Sequence, residues 1–413
     1  MKPIEVTLSW KGGGQMAQEG HGGAKLTRLE EITRRRQSRK MRNMAIVAVV
    51  LAVLVFYVTG TYSSAFAVLA DGVESVQIFL DRSGGFPAQT GIAEPLQAEV
   101  LAGGFVELGQ EDLFVYSAAG TNLRSIQHGY ARPAITTGNS HFCIYNRGGT
   151  ELRVESRTRS LYSEKMSENI LLCQMSPNGS LAVVTQSSRY LAEMSVYPPD
   201  FGEPYQWWTT KTEGTPVRVA FADDNHRLAV GCISAQNGQL ASGIYMLDTR
   251  KNTVGAVYQA EAGSALLDLQ WISNSQVLCI YDNFACVLNP STGAELCRFS
   301  YGGAAVSSVS VYGRTAALLL STRSGSRLVV LNDRMATLLD ETIAAANQVT
   351  VTHNSVYLLR DSSVERINLK GESQWVQTYQ TKPQCLLNAE KLLLFVDSSA
   401  QVLTPPQEQN GES

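Results

Sequence analysis

Two patterns of hydrophobic and polar positions divide this chain of 413 residues. From Val76 onward, apolar and polar residues alternate in short runs bounded by Gly, Pro, Asn, Asp or Ser, and no stretch holds the apolar period of an amphipathic helix. That alternation predicts half-buried strands separated by tight turns. Ahead of it, Met44 to Val58 carries no charge, and the uncharged stretch continues through Thr59-Gly60-Thr61-Tyr62 to Ala70. About 20 such residues suffice to cross a bilayer as a helix, the conformation that satisfies every backbone group in hydrocarbon. A transmembrane helix is therefore expected over 44–66.

The strands recur in groups of four. One group opens with Ile170-Leu171-Leu172-Cys173-Gln174-Met175, turns at Ser176-Pro177-Asn178-Gly179, and returns through Ser180-Leu181-Ala182-Val183-Val184. The next opens with Val217-Arg218-Val219-Ala220-Phe221, turns at Ala222-Asp223-Asp224-Asn225, and returns through Arg227-Leu228-Ala229-Val230. A second recurrent element is an apolar strand running into an Asp or Asn turn: Met246-Leu247-Asp248-Thr249-Arg250, Leu288-Asn289-Pro290-Ser291-Thr292-Gly293, Val330-Leu331-Asn332-Asp333-Arg334 and Ile367-Asn368-Leu369-Lys370-Gly371. Such residues reverse a chain by bonding their own backbone. The closing turns fall near residues 119, 157, 200, 250, 291, 333 and 370, a spacing of roughly 42, the length of a four-stranded propeller blade.

Most of an eighth blade follows, because Lys391 to Ser399 parallels Val356 to Ser363, with one more strand from Gln401 to Thr404. Its missing strand is assigned to Val76-Gln77-Ile78-Phe79-Leu80, since an N-terminal strand that completes the last blade closes the ring. The expected fold is all-β: an eight-bladed β-propeller over 72–405, with seven blades the alternative, preceded by the transmembrane helix. A polar tail, 406–413, ends the chain. Stacked sandwiches would not hold one period for so long.

Charge sets the orientation. Residues 25–43 carry Lys25, Arg28, Arg34, Arg35, Arg36, Arg39, Lys40 and Arg42 against Glu30 and Glu31, and no cation follows until Arg82. The positive-inside rule puts 1–43 in the cytoplasm as a basic tail and the propeller outside the cell membrane. Arg34, Arg35, Arg36, Arg39, Lys40 and Arg42 suit anionic lipid headgroups and not nucleic acid. Ser64-Ala65-Phe66-Ala67 offers an A-x-A-like cleavage site, but the long charged leader and long apolar run favour an anchor over a signal peptide. The seven cysteines form no CxxC or CxxH and mostly sit inside apolar strand patterns, so they read as buried thiols.

The Asn-Pro-Ser-Thr-Gly and Asp-Thr-Arg turns at 289–293 and 248–250 resemble those of quinoprotein-like and WD40-like repeats, and Ser176-Pro177-Asn178-Gly179 is similar to the S-P-D-G turn of WD40-like and TolB-like blades. With the stretch Arg34-Arg35-Arg36 and the single span, the layout resembles an uncharacterised family of single-pass propeller proteins of Gram-positive bacteria. The resemblance implies fold and placement and no activity. The blade Trp of quinoprotein enzymes is missing: Cys297 or Phe299 and Tyr258 stand there, with only Trp375 a loose match.

No catalytic pattern appears. His21, His128, His141, His226 and His353 have no partner at metal-ligand spacing, and neither a G-x-S-x-G elbow nor a P-loop is present. No cofactor is expected. The innermost strands read small, apolar or hydroxylic at Leu172-Cys173, Val219-Ala220 and Ser307-Ser308-Val309, which disfavours a ligand or enzymatic site in the central channel. The aromatic stretch Tyr197 to Trp208 is longer than its sister turns, and Phe201, Tyr205, Trp207 and Trp208 are candidate anchors for a partner. The expected function is therefore non-catalytic: a protein-binding or scaffolding module for an envelope protein. A ligand-sensing or enzymatic channel is the alternative.

Overall fold

The computed structural model describes residues 84–323 and 325–405. They form eight four-stranded antiparallel sheets. In chain order the blades are 97–127, 133–165, 170–209, 215–259, 266–300, 305–343 and 348–378, numbered 1 to 7. Blade 8 takes three strands from 385–402 and its outermost from Ala88–Gln89. The fold is thus an eight-bladed propeller. Each closing turn inferred from the sequence joins the third and fourth strands of blades 1 to 7.

Ring closure by an N-terminal strand holds, but the strand is not the expected one. Ala88 pairs with Ala400 and Gln89 with Ser399. Thr90 and Gly91 then donate backbone hydrogen bonds to the Ser398 carbonyl, at 2.8 and 3.2 Å. Val76 to Leu80 lies outside the described residues, as do the expected basic tail, transmembrane span and polar tail. Among the described residues no helix is long and apolar enough to cross a membrane.

Burial explains the strand patterns. The second and third strands of a blade are covered on both faces by neighbouring blades, so they read as continuous apolar runs: Ala316 to Leu320 and Val277 to Tyr281 are all buried. Outermost strands alternate, as in Glu295–Ser300 and Ser373–Thr378. The core is accordingly divided into eight clusters, one in each gap between adjacent blades. In the closing gap Phe105 stacks on Tyr116 at 4.9 Å and meets Phe395 edge-on at 5.7 Å.

The repeated Asp/Asn turns work as their chemistry predicts. Asn289 Oδ1 accepts from the Ser291 amide at 2.9 Å, and Asn332 Oδ1 from the Arg334 and Ala336 amides at 2.9 and 3.0 Å. Asn368 Oδ1 takes the Lys370 and Glu372 amides in the same way. Each is an Asx turn that supplies acceptors to amides the sheet leaves unpaired. Of the cysteines, Cys143, Cys173, Cys232, Cys279 and Cys286 are buried, Cys297 and Cys385 are half-buried, and all seven are free thiols.

Candidate binding site in the central channel

The first strand of each blade faces the central channel with one edge unpaired, so its backbone groups need partners from elsewhere. Side chains of a neighbouring first strand supply many of them. Gln97 Oε1 accepts from the Ile135 amide at 2.9 Å, and Gln348 Oε1 from the Leu386 amide at the same distance. The hydroxyls of Thr136, Ser308 and Ser310 accept from the amides of Met175, Val349 and Val351 at 3.0 to 3.1 Å. Trp271 Nε1 donates to the Ala220 carbonyl at 3.1 Å. These polar residues hold the ring together.

Another set bonds only nearby or within its own strand. Arg218 Nη1 donates to the adjacent Val217 carbonyl at 2.9 Å. Gln174 Nε2 donates to the Met175 carbonyl at 3.3 Å, and Gln270 Nε2 to Asp268 Oδ2 at 2.8 Å. Burial pushes the Glu99 carboxyl up to about 7, against the pull of a hydrogen bond from Thr137. Among the described residues Glu99, Arg147, Arg218 and Asp268 belong to no ion pair.

A repeated backbone irregularity positions two of these charges. In blades 3 to 6 the first strand carries one extra residue opposite its neighbour, at Leu171, Val217, Leu267 and Ser307. Such a bulge re-aims the side chains beside it. The residues that follow are Leu172, Arg218, Asp268 and Ser308. Arg218 and Asp268 consequently line the channel.

Two cavities occupy that side. One, of about 690 Å³, is bounded by first strands of blades 1 to 5 and opens beside Ala102, Asn139 and Pro177, at the turns into the second strands. The other, of about 360 Å³, reaches the opposite rim and is lined by Arg147 and Arg218 as well as Gln97. Glu99, Thr137, Gln174, Val219 and Asp268 line both. The channel is thus charged on the side of blades 1 to 5, which corrects the expectation of an uncharged lining. Small and apolar neighbours at Val219-Ala220 and Leu172-Cys173 mask Arg218 and Gln174, and no bulge is visible in a residue string.

The aromatic candidates do not form one patch. Phe201 is half-buried and stacks on Tyr162 of blade 2, with centroids 4.5 Å apart. Tyr205 and Trp207 pack against the core between blades 3 and 4, and Trp207 lies 5.6 Å from Tyr245. Trp208 is 41% exposed. It lies 6.0 Å from Tyr190, whose chain neighbour Leu191 is also exposed, and neither Tyr190 nor Leu191 stands in the aromatic stretch 197–208. Arg34, Arg35, Arg36, Arg39, Lys40 and Arg42 lie outside the described residues. Among the described residues no three His, Cys, Asp or Glu gather as a metal site.

The same architecture recurs in solved structures of low sequence identity. BamB from Moraxella catarrhalis superposes with a TM-score of 0.53 at 13% identity, over 77% of this chain and 98% of that one. The C-terminal WD40 domain of Sif2 gives 0.55 at 10% identity, over 78% and 99%. The computationally designed Ika8 protein gives 0.53 at 12%, over 78% and 98%. At these identities the likeness is one of fold. No curated protein matches the chain. Residues 89–403, nearly the whole propeller, match one family, and the chain belongs to it: the Family of unknown function (DUF5711).

Proposed function

We propose that the chain is a membrane-anchored, extracytoplasmic recognition propeller that binds its ligand in the central channel and performs no catalysis. The observation that carries this is the asymmetric lining: Glu99, Gln174 and Asp268 line both of two adjoining cavities and Arg218 the smaller one, and of the four only Glu99 is bonded across to another blade, by Thr137. A propeller frame keeps such side chains in place from several blades at once, and its function resides in the grafted site rather than the fold. The anchor is residues 44–66, with the basic tail against the inner leaflet. The apolar run and its cationic flank support that placement.

A photo-crosslinking residue at Asn139, on the rim of the larger cavity, tests the reading in native membranes. An adduct that disappears when Glu99→Gln and Asp268→Asn are combined is expected. Adducts that persist in that background overturn the channel reading. An epitope tag after residue 413 should be reached by antibody on intact cells; a signal only after permeabilisation overturns the topology.

The exposed set Trp208, Tyr190 and Leu191 favours a second reading, in which an envelope protein docks on the outer edge of blade 3. Rigid amphipathic rings are typical anchors of such contacts. A crosslinker at Trp208 that captures one protein, unaffected by the channel substitutions, would establish it.

A further inference from the structure

Resting on the channel reading above, we infer that the ligand is a small zwitterion of amino-acid type, a free amino acid or a dipeptide. Its ammonium group lies toward Glu99 and Asp268 and its carboxylate toward Arg147 and Arg218. All four side chains line the single cavity of about 360 Å³. A molecule of either single charge would satisfy one pair and leave the other facing it without compensation.

Three observations bear on that choice. First, opposite charges share a chamber yet form no ion pair with one another among the described residues, so they have not neutralised each other. Charges held apart around an opening are arranged for a ligand that carries both signs. Second, the positions are built: Arg218 and Asp268 each follow a β-bulge in adjacent blades, while Glu99 comes from blade 1 and Arg147 from the end of the second strand of blade 2. Arg147 lies beside the hydroxyl of Tyr145, which also lines the cavity. Third, size sets a bound. Small-molecule sites run from about 300 Å³ upward, so this chamber sits at the lower end of the range and suits a compact polar ligand. A guanidinium recognises a carboxylate with directional paired hydrogen bonds, whereas an ammonium group needs only acceptors around it, here Glu99, Asp268 and the Gln174 side-chain carbonyl. The larger cavity continues from the shared residues, leaving room for a side chain beyond the ammonium end.

The test uses full-length protein in lipid nanodiscs and isothermal titration. The probes are an equimolar pool of the protein amino acids and a pool of alanyl dipeptides, each beside its N-acetylated and its C-amidated counterpart. At least one zwitterionic pool should bind saturably, with either blocked form weaker by about tenfold or more, the loss expected when a charge lining the site keeps no partner. Glu99→Gln combined with Asp268→Asn should abolish discrimination against the acetylated form alone. Arg147→Met combined with Arg218→Met should abolish discrimination against the amidated form alone, and Arg147→Lys combined with Arg218→Lys should restore part of it. Circular dichroism of each variant confirms that the propeller is intact.

Equal binding of a zwitterionic pool and one of its blocked forms overturns the inference and leaves the channel reading standing. So does binding by the amidated pool alone, which would mark a plain cation site. Failure of every pool at millimolar concentration also overturns the inference, and the crosslink from Asn139 then decides separately whether the channel binds anything.

Discussion

Glu107 offers the clearest quantitative test of how this ring is closed. It lies on the second strand of blade 1, fully buried, on the same strand face as Phe105, which packs against blade 8. Neither of its carboxylate oxygens has a hydrogen-bond partner of normal geometry. Burial is the first cause that pushes its pKa from 4.5 up to about 7, with a weak opposing bond from Thr90. The same carboxyl helps to raise Tyr116 and Cys385, each to about 12, although burial is the larger cause for both.

A carboxyl whose pKa is higher in the folded state holds its proton better there than in the unfolded chain. Stability is therefore complete below the unfolded value near 4.5 and falls as pH rises toward and through 7. A shift of this size corresponds to about 3 kcal/mol lost by pH 8, of which roughly 2.5 kcal/mol is lost between pH 5 and 8. Glu107→Gln keeps the shape and removes the titration. The buried amide has a fixed cost that does not change with pH, so the informative quantity is the pH dependence of the difference. Urea unfolding of wild type and variant at pH 5, 6, 7 and 8 should show the variant gaining on the wild type by about 2.5 kcal/mol across that range. A difference independent of pH would refute the reasoning and mean that Glu107 is solvated or paired at the seam.

Other expectations follow from the same structure. Trp207→Ala should destabilise by about 2 kcal/mol, because the ring is half-buried in the gap between blades 3 and 4; Trp208→Ala should stay within about 0.5 kcal/mol, and thermal unfolding separates the two. Phe105→Ala, at the closing gap, should cost about 3–5 kcal/mol by urea unfolding. In the native protein, thiol reagents should label Cys297 fastest, Cys385 only slowly because its thiol is held up to about 12, and the five buried thiols least of all, with all seven cysteines reacting once the chain is unfolded; fast native labelling of Cys279 would contradict its burial. Asn332→Ala removes the acceptor for two backbone amides and should lower stability by about 1 kcal/mol, whereas Asn332→Asp should be nearly neutral.

Much of the architecture was legible in the residues because it repeats. The Asx turns at Asp248, Asn289, Asn332 and Asn368 recur at blade length, and buried middle strands such as Ala316 to Leu320 announce themselves as apolar runs. The closing strand was not legible, because Ala88 and Gln89 are too few to show a strand pattern, while Val76 to Leu80 is a longer, largely apolar run that reads as a strand. The channel was misread for a different reason. A residue string shows that Arg218 and Asp268 are charged but not that each follows a bulge, and it cannot separate Gln97, used on the Ile135 backbone, from Gln174, left facing the cavity. The aromatic segment illustrates the reverse failure: Phe201, Tyr205, Trp207 and Trp208 are neighbours in sequence, yet tertiary packing sends them to separate surroundings.

The clasp that completes blade 8 also has a mechanical consequence. Both ends of the propeller meet in one sheet, where the short strand Ala88–Gln89 lies against Ser399–Val402. Tension on the chain ahead of residue 84 enters the fold at this seam, through Gly84 to Phe86, which lie against Ala119 to Thr121 of blade 1 and Lys391 of blade 8, and then through this two-residue strand, backed by two backbone bonds to Ser398. Blades 2 to 7 lie away from that entry and bear none of the load until the clasp yields. Pulling on the N-terminal side would therefore open the ring at the gap between blades 8 and 1, like a gate on its latch, before it unravelled any blade.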